Sequence, residues 1–259
     1  MRIVLVTQEE PFYLPAAIED FCQGCTDEIV GIIILPAFNE GRWKNATRLY
    51  EFFGPVDFSR LLWRFAGAKV CDTVNQLTPL TRPCSARDVA RRHGLPIYQP
   101  TKINAAAFVE VIRNEMRPDL LVSIAASQIL KQRVLDVPRY GCINLHSAPL
   151  PRYQGMMPNF WTMMHGEPEA WVTVHYMVEK LDAGDIVLQM PVALHATDSL
   201  HDVMIRSKQV GVQALLEGVA QIKAGTVIGK AMDAGAASYF SFPKRADARR
   251  LRERGHALL

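Results

Sequence analysis

Gly141-Cys-Ile-Asn-Leu-His-Ser-Ala-Pro-Leu-Pro-Arg-Tyr-Gln-Gly155 opens as a short apolar strand and runs into a loop stiffened by Pro149 and Pro151. Asn144 and His146 are two residues apart, so on a strand they face the same way. An amide and an imidazole therefore stand side by side where the strand gives out. Further on, Leu181-Asp-Ala-Gly-Asp-Ile186 places a carboxylate, Asp182, in a turn between two strand-like runs. Neither Ser147 nor Cys142 is placed to act as a covalent nucleophile. Ser147 alternates to the opposite face, and Cys142 lies deeper in the strand.

Working outward, the segments before this strand alternate between the two secondary-structure types. Arg2 to Thr7 is a continuous apolar run that suits a buried parallel strand. A loop at 8–15 leads into a helix ending near Phe21, and Glu28 to Leu35 is a second strand, giving a right-handed βαβ unit. Ser85 to His93 reads as a helix capped by Ser85 with Asp88 three residues on. A short strand at 94–98 follows. Asn104 to Met116 is amphipathic, Leu120 to Ile124 is a strand, and Lys131 to Leu135 is a short helix.

Beyond the opening stretch, Asn159 to His165 is helical. Trp171 to Val178 and Asp185 to Val192 form an antiparallel hairpin. Ser199 to Ile222 is a long helix with a cap at Ser199 and Asp202 and a stop at Gly225. The fold class is α/β, with an open, mostly parallel, Rossmann-like sheet, a C-terminal antiparallel hairpin and a short tail. The expected division is a catalytic domain over 1–225 and a short extension over 226–259. In such sheets ligands bind outside the carboxyl ends of the strands, where Asn144 and His146 lie.

Residues 36 to 84 are harder to read. Pro36 to Asn45 reads as a loop. Ala46 to Phe53 and Phe58 to Val74 read as helices broken at Gly54-Pro55. Trp43, Phe52, Phe53, Leu61, Leu62, Trp63 and Phe65 make the segment apolar, and packing is the default reading for them.

The totals suit a globular protein: 49% apolar, 21% charged, and a net charge of +3. Five scattered cysteines do not suggest a disulfide framework. Cys22 and Cys25 form a lone Cys-x-x-Cys at a helix end, where neither a redox pair nor a zinc site is expected. His165 and His175 have no metal-ligand spacing with a carboxylate, so no catalytic metal is expected. The opening apolar run is too short for a signal peptide, and no run is long enough for a membrane span. These readings imply a reduced, cytoplasmic protein with no membrane partner. There is no Gly-x-Gly-x-x-Gly after the first strand, hence no dinucleotide fingerprint.

Together the residues suggest a site for attack on a carbonyl by an external nucleophile. Asn144 would donate to the oxyanion, His146 would move a proton or donate a second hydrogen bond, and Asp182 would orient and charge-balance the imidazole. By itself an Asn-x-His pattern is weak, because a capping asparagine and a core histidine look the same.

The wider pattern resembles the folate-dependent formyltransferases. It comprises Gly141-Cys-Ile-Asn-Leu-His146, then Leu150-Pro-Arg-Tyr-Gln-Gly155, Pro158, and Leu181-Asp-Ala-Gly-Asp-Ile186. The resemblance is strong over about 94–192 and weak over 36–84. It implies 10-formyltetrahydrofolate as co-substrate, an amine acceptor, and Asn144, His146 and Asp182 as the catalytic residues. It also implies a pterin pocket built largely from the backbone of two loops. These are Ser127, Gln128, Ile129 and Leu130 in one, and Val178, Glu179, Lys180, Leu181 and Asp182 in the other.

Two departures stand out. Ser147 follows the histidine directly, where the family places a serine one residue later. Gln154 replaces an arginine common in the family, removing a candidate anion contact. No glycine-serine phosphate loop follows the first strand, as it does in the purine-pathway members. The segment after Gly225 is shorter than the barrel domain of the tRNA members. The first strand begins the chain, where folate deformylases carry a regulatory domain. The expected acceptor is accordingly a small-molecule amine, best matched to a nucleotide-linked amino sugar. A hydroxylamine and an aminoacyl-tRNA are the alternatives within the family, and a non-catalytic folate- or nucleotide-binding protein is the alternative outside it. The tail 244–254 is locally basic, but a solvated helix end is expected there rather than a nucleic-acid clamp. A homodimer is compatible with the sequence and not required by it.

Overall fold

A computed structural model of the chain describes residues 1–36, 42–78 and 82–259. Seven strands form one sheet: β1 (Arg2–Gln8), β2 (Glu28–Leu35), β3 (Ile97–Tyr98), β4 (Leu120–Ile124), β5 (Cys142–His146), β7 (Glu169–Tyr176) and β8 (Ile186–Ala193). Their spatial order is β3-β2-β1-β4-β5-β7-β8. The first five are parallel, and β7 and β8 add as an antiparallel hairpin beside β5. A small second sheet pairs β6 (Gln154–Gly155) with β9 (Tyr239–Phe240).

Alternation along β1 explains why both faces of the sheet are covered. Ile3 and Leu5 enter one apolar core and Val4 and Val6 the other, all of them fully buried. The first face is covered by α1 (Leu14–Gly24), α3 (Ala86–Arg92), α6 (Pro158–His165) and α7 (Leu200–Ala224). The second is covered by α4 (Ala106–Val111) and α5 (Gln132–Leu135). The amphipathic stretch expected over 104–116 divides, since α4 continues as a single π-helical turn, Ile112–Met116. Helix α7 starts in a full capping box, with the Ser199 side chain accepting from the Asp202 N–H and the Asp202 carboxylate accepting from the Ser199 N–H. It stops at Gly225 in the left-handed region, at φ 68°.

The strand order sets the site. The chain winds outward from β1 through β2 to β3, then returns to β4 and winds the other way to β5. The carboxyl ends of β1 and β4 therefore form a switch point where the connections diverge and leave a crevice. The tail closes over this end of the sheet. β9 pairs with β6, and α8 (Arg245–Glu253) buries Ala248 and Leu251 in the first core together with Leu258.

Three expectations need correction around 36–84. Helix α2 spans Arg42–Leu77, so Arg42 to Asn45 are helical rather than loop, while 37–41 lie outside the described residues. The break at Gly54-Pro55 is present, with Gly54 at φ 75° and ψ 173°. Of the apolar residues expected to pack, only Phe52 is fully buried, against Phe160 and Phe242. Trp43 and Trp63 are 89% and 80% exposed, and Leu62 and Phe65 are also exposed. Finally, Cys71 and Cys84 are joined as a disulfide that ties the end of α2 to the segment before α3. The other three cysteines are free, so the expectation of a fully reduced set does not hold.

Candidate active site

The register of the sheet builds the site in a row. Asn144 on β5 is paired with Ser123 on β4 and with His175 on β7. Partners in register on adjacent strands point to the same face, so three polar side chains meet across three strands. Ser123 Oγ donates to Asn144 Oδ1 at 2.8 Å, and Asn144 Nδ2 lies 3.3 Å from His175 Nε2. His175 Nδ1 lies 2.8 Å from the Tyr176 carbonyl, which fixes the proton on Nδ1 and leaves Nε2 to accept from the amide. The Asn144 amide is thus held from both sides. One of its N–H groups is used by His175, and the other remains for a ligand.

His146 lies two residues further along the same strand. The proline loop returns over β7: Thr173 Oγ1 donates to the Ala148 carbonyl and accepts from the Leu150 N–H, and Gln189 Nε2 donates to the Leu150 carbonyl. This brings the Tyr153 carbonyl to 2.8 Å from His146 Nε2. That nitrogen carries the proton in the neutral ring, so Nδ1 is directed at Asp182, at 3.7 Å from Oδ2.

Asp182 stands between two imidazoles, its Oδ1 being 3.8 Å from His175 Nε2. Its backbone is left-handed at φ 49°, and its Oδ2 accepts the Gly155 N–H at 2.9 Å. Gly155 is at φ 98°, and a Cβ there would collide with the Phe240 carbonyl oxygen. Gln154, where an anion contact was in question, donates instead to the Asp182 carbonyl at 2.8 Å. Burial and the facing His146 lower the pKa of His175 to about 4. His175 is therefore held neutral beside Asp182.

The three side chains sit at the wall of a cavity of about 600 Å³. At one end the cavity is lined by Ala125 to Leu130 after β4 and by Met177, Val178 and Leu181 after β7. The first of these loops is pinned from outside. Gln128 accepts from the Ile103 N–H and donates to the Thr101 carbonyl, Ser127 donates to the Pro36 carbonyl, and Asn104 donates to the Ile129 carbonyl. Glu179 and Lys180 do not line the cavity, and Glu179 accepts the Gln132 N–H at the start of α5.

At the other end the walls are Tyr13, Leu49, Phe53, Leu61, Met204 and Phe242, with Glu10 and Lys208 as charged groups. Glu10 accepts the N–H groups of Phe12, Tyr13 and Leu14, and burial raises its pKa; burial likewise lowers that of Lys208. Sequence reading missed Ser123, His175, Glu10 and Lys208. For Ser123 and His175 the missing signal was strand register, which brings them beside Asn144 although each is ordinary in its own strand.

An open α/β sheet with an amide and an imidazole at the carboxyl end of β5, and a carboxylate brought to them from the turn between β7 and β8, lines one cavity with groups suited to chemistry at a carbonyl. A profile of the formyl transferase family matches residues 65–219, and the chain belongs to that family. It is similar to the methionyl-tRNA formyltransferase of Citrifermentans bemidjiense, with 38% identity over 170 residues, 64% of this chain and 52% of that relative. The chain spans about half the length of that relative.

Among solved structures, it shares its fold with phosphoribosylglycinamide formyltransferase from Anaplasma phagocytophilum. The TM-score is 0.61 at 16% identity, covering 94% of this chain and 99% of that one. It also shares it with an N-formyltransferase from Helicobacter canadensis solved with folinic acid and dTDP-3-aminofucose. Here the TM-score is 0.58 at 16% identity, covering 93% of this chain and 71% of that one.

Proposed function

We propose that this protein transfers a formyl group from 10-formyltetrahydrofolate to an amine. The observation that carries the reading is the fixed Asn144 amide, with a free N–H, beside His146 and Asp182 on the wall of a two-ended cavity. The end between the 125–130 and 177–182 loops suits the pterin. Its walls are apolar, and Ile129, Val178 and Leu181 are about half exposed there. The opposite end takes the acceptor.

In this reading the acceptor nitrogen attacks the formyl carbon. The free N–H of Asn144 stabilises the tetrahedral oxyanion. His146 starts neutral, takes the proton of the attacking nitrogen at Nδ1 and gives it to the departing folate N10; while it is an imidazolium its charge adds to the oxyanion's stabilisation and Asp182 balances it. The reacting atoms need only be held together, since both substrates supply the groups that form and break bonds.

The acceptor's finer identity is part of the proposal. The dTDP-aminosugar named for the Helicobacter canadensis structure supports a nucleotide-linked amino sugar, and the name of the Citrifermentans relative supports an aminoacyl-tRNA. The lining favours an acceptor whose amine is joined to an apolar part, because Lys208 is the single cation among the described side chains that line the cavity. The test is to incubate the protein with 10-formyltetrahydrofolate and a panel of amines while following tetrahydrofolate release. Release that depends on an amine and disappears in His146→Ala supports the reading, and release to water alone sinks it.

A further inference from the structure

Beyond Pro55, helix α2 runs along the body for about six turns. Leu61 faces inward and lines the cavity, and Asn75 is buried. On the outward side, Val56, Trp63, Val70 and Leu77 follow one another at intervals of seven residues, with exposures of 62%, 80%, 64% and 84%. Exposed Ala66, Gly67 and Val74 fill the same face, and Trp43, before the kink, is exposed as well. A contiguous apolar stripe of this length on one helix is more than a lone soluble chain ordinarily leaves in water.

The charges on this part of the helix are sorted. Its two acids are turned to the body: Asp57 pairs with Arg252 of α8 at 3.0 Å and with Arg60 at 3.2 Å, and Asp72 accepts from Ser85 and pairs with Arg91. The groups bordering the apolar stripe are basic, namely Arg60, Arg64 and Lys69. A two-fold contact with a second copy would set these bases against their own counterparts, and Asp57, the one acid that reaches them, is shared between Arg60 and Arg252. An anionic lipid surface suits the same pattern. The stripe enters the acyl boundary, the tryptophans sit at headgroup level, and the bases meet phosphates. The helix would lie on the bilayer and not cross it, since no helix among the described residues is long and apolar enough to span.

We propose that the outward face of α2 docks this protein on the surface of an anionic lipid bilayer. The wall of the acceptor end belongs to the same helix, through Leu49, Phe53 and Leu61. Resting on the formyl-transfer reading, the docked protein would receive an amine carried by an amphiphile, delivered from the lipid side.

The experiment is co-sedimentation of the full chain with vesicles of phosphatidylglycerol and phosphatidylcholine, and with phosphatidylcholine alone. Binding of 5-formyltetrahydrofolate in solution is measured on the same samples. The expected result is salt-sensitive binding to the anionic vesicles, reduced roughly tenfold or more in Trp63→Asp/Val70→Asp. Folate binding and the circular dichroism spectrum are expected to be unchanged. Val56→Asp/Leu77→Asp gives an independent second variant should the first fail to fold. No binding to anionic vesicles, or binding by both variants equal to that of the unaltered chain, overturns the proposal. So does a dimer that the variants dissociate without any vesicle binding. Loss of folate binding alone, with vesicle binding intact, counts against the formyl-transfer reading and leaves the docking surface standing.

Discussion

The Asn144 amide nitrogen lies 3.3 Å from Nε2 of His175, a histidine held neutral by burial and tied by Nδ1 to its neighbour's carbonyl. His175 sets which way the Asn144 amide faces, and in the proposed reaction it would act through that amide. With Ser123 on the opposite side, the donor is oriented before any ligand arrives.

Replacing His175 by phenylalanine removes the acceptor and lets the amide turn. The expected loss in kcat is about 10²-fold, the scale of a misdirected oxyanion donor. The KM for the folate should change little, because the pterin end of the cavity is untouched. His175→Gln, which keeps an acceptor, should recover much of the rate. Equal loss in both variants would show that His175 serves packing alone.

Asp182→Asn keeps the size of the side chain and removes the charge between the two imidazoles. The expected effect is a fall in kcat of roughly 10²–10⁴-fold, in line with the loss of a group that supports proton transfer. Folate binding measured by fluorescence should persist. A variant with near-normal turnover would remove Asp182 from the proposed mechanism.

His175 also makes stability depend on pH with a definite sign. Its pKa is about 4 in the folded protein, down from 6.5. Between those values the unfolded chain binds a proton that the folded chain refuses. Its contribution is therefore complete above pH 6.5 and is lost as pH falls towards 4. Thermal melts across that window should show a declining Tm, and the decline should be shallower in His175→Gln. Parallel curves for the two proteins would contradict the assignment.

Gly155→Ala is expected to damage the site without touching a reacting group. The residue is at φ 98°, and the added carbon would meet the Phe240 carbonyl oxygen. Strain of about 1–3 kcal/mol, read as a lowered urea midpoint, should accompany loss of turnover. The Gly155 N–H that holds Asp182 cannot then keep its position.

Much of this protein can be read from its residues where the pattern is local. The apolar run of β1, the Ser199 cap with its Gly225 stop, and the break at Gly54 all depend on neighbours in sequence. That Asn144, His146 and Asp182 come together at one cavity wall is legible through spacing and loop chemistry. Ser123 and His175 were not, because what makes them part of the site is the pairing of β4 and β7 with β5, a non-local choice. The exposure of Trp63 was hidden for a related reason. Aromatic residues suit a core and a docking face equally, and only the position of the body relative to α2 separates the two. The Cys71–Cys84 bridge escaped because its partners look unrelated in a scattered set.

Pairing of β6 with β9 gives the site an order of assembly. The loop that aims the Tyr153 carbonyl at His146 is fastened by residues far downstream. The Tyr153 N–H donates to Ser238 Oγ, the Gln154 N–H to the Ser238 carbonyl, and the Met156 N–H to the Phe240 carbonyl. Until Ser238 to Phe240 join the body, these three N–H groups lack their partners and nothing fastens the loop. A nascent chain stalled before Ser238 would carry all three proposed catalytic side chains and still lack the geometry to use them.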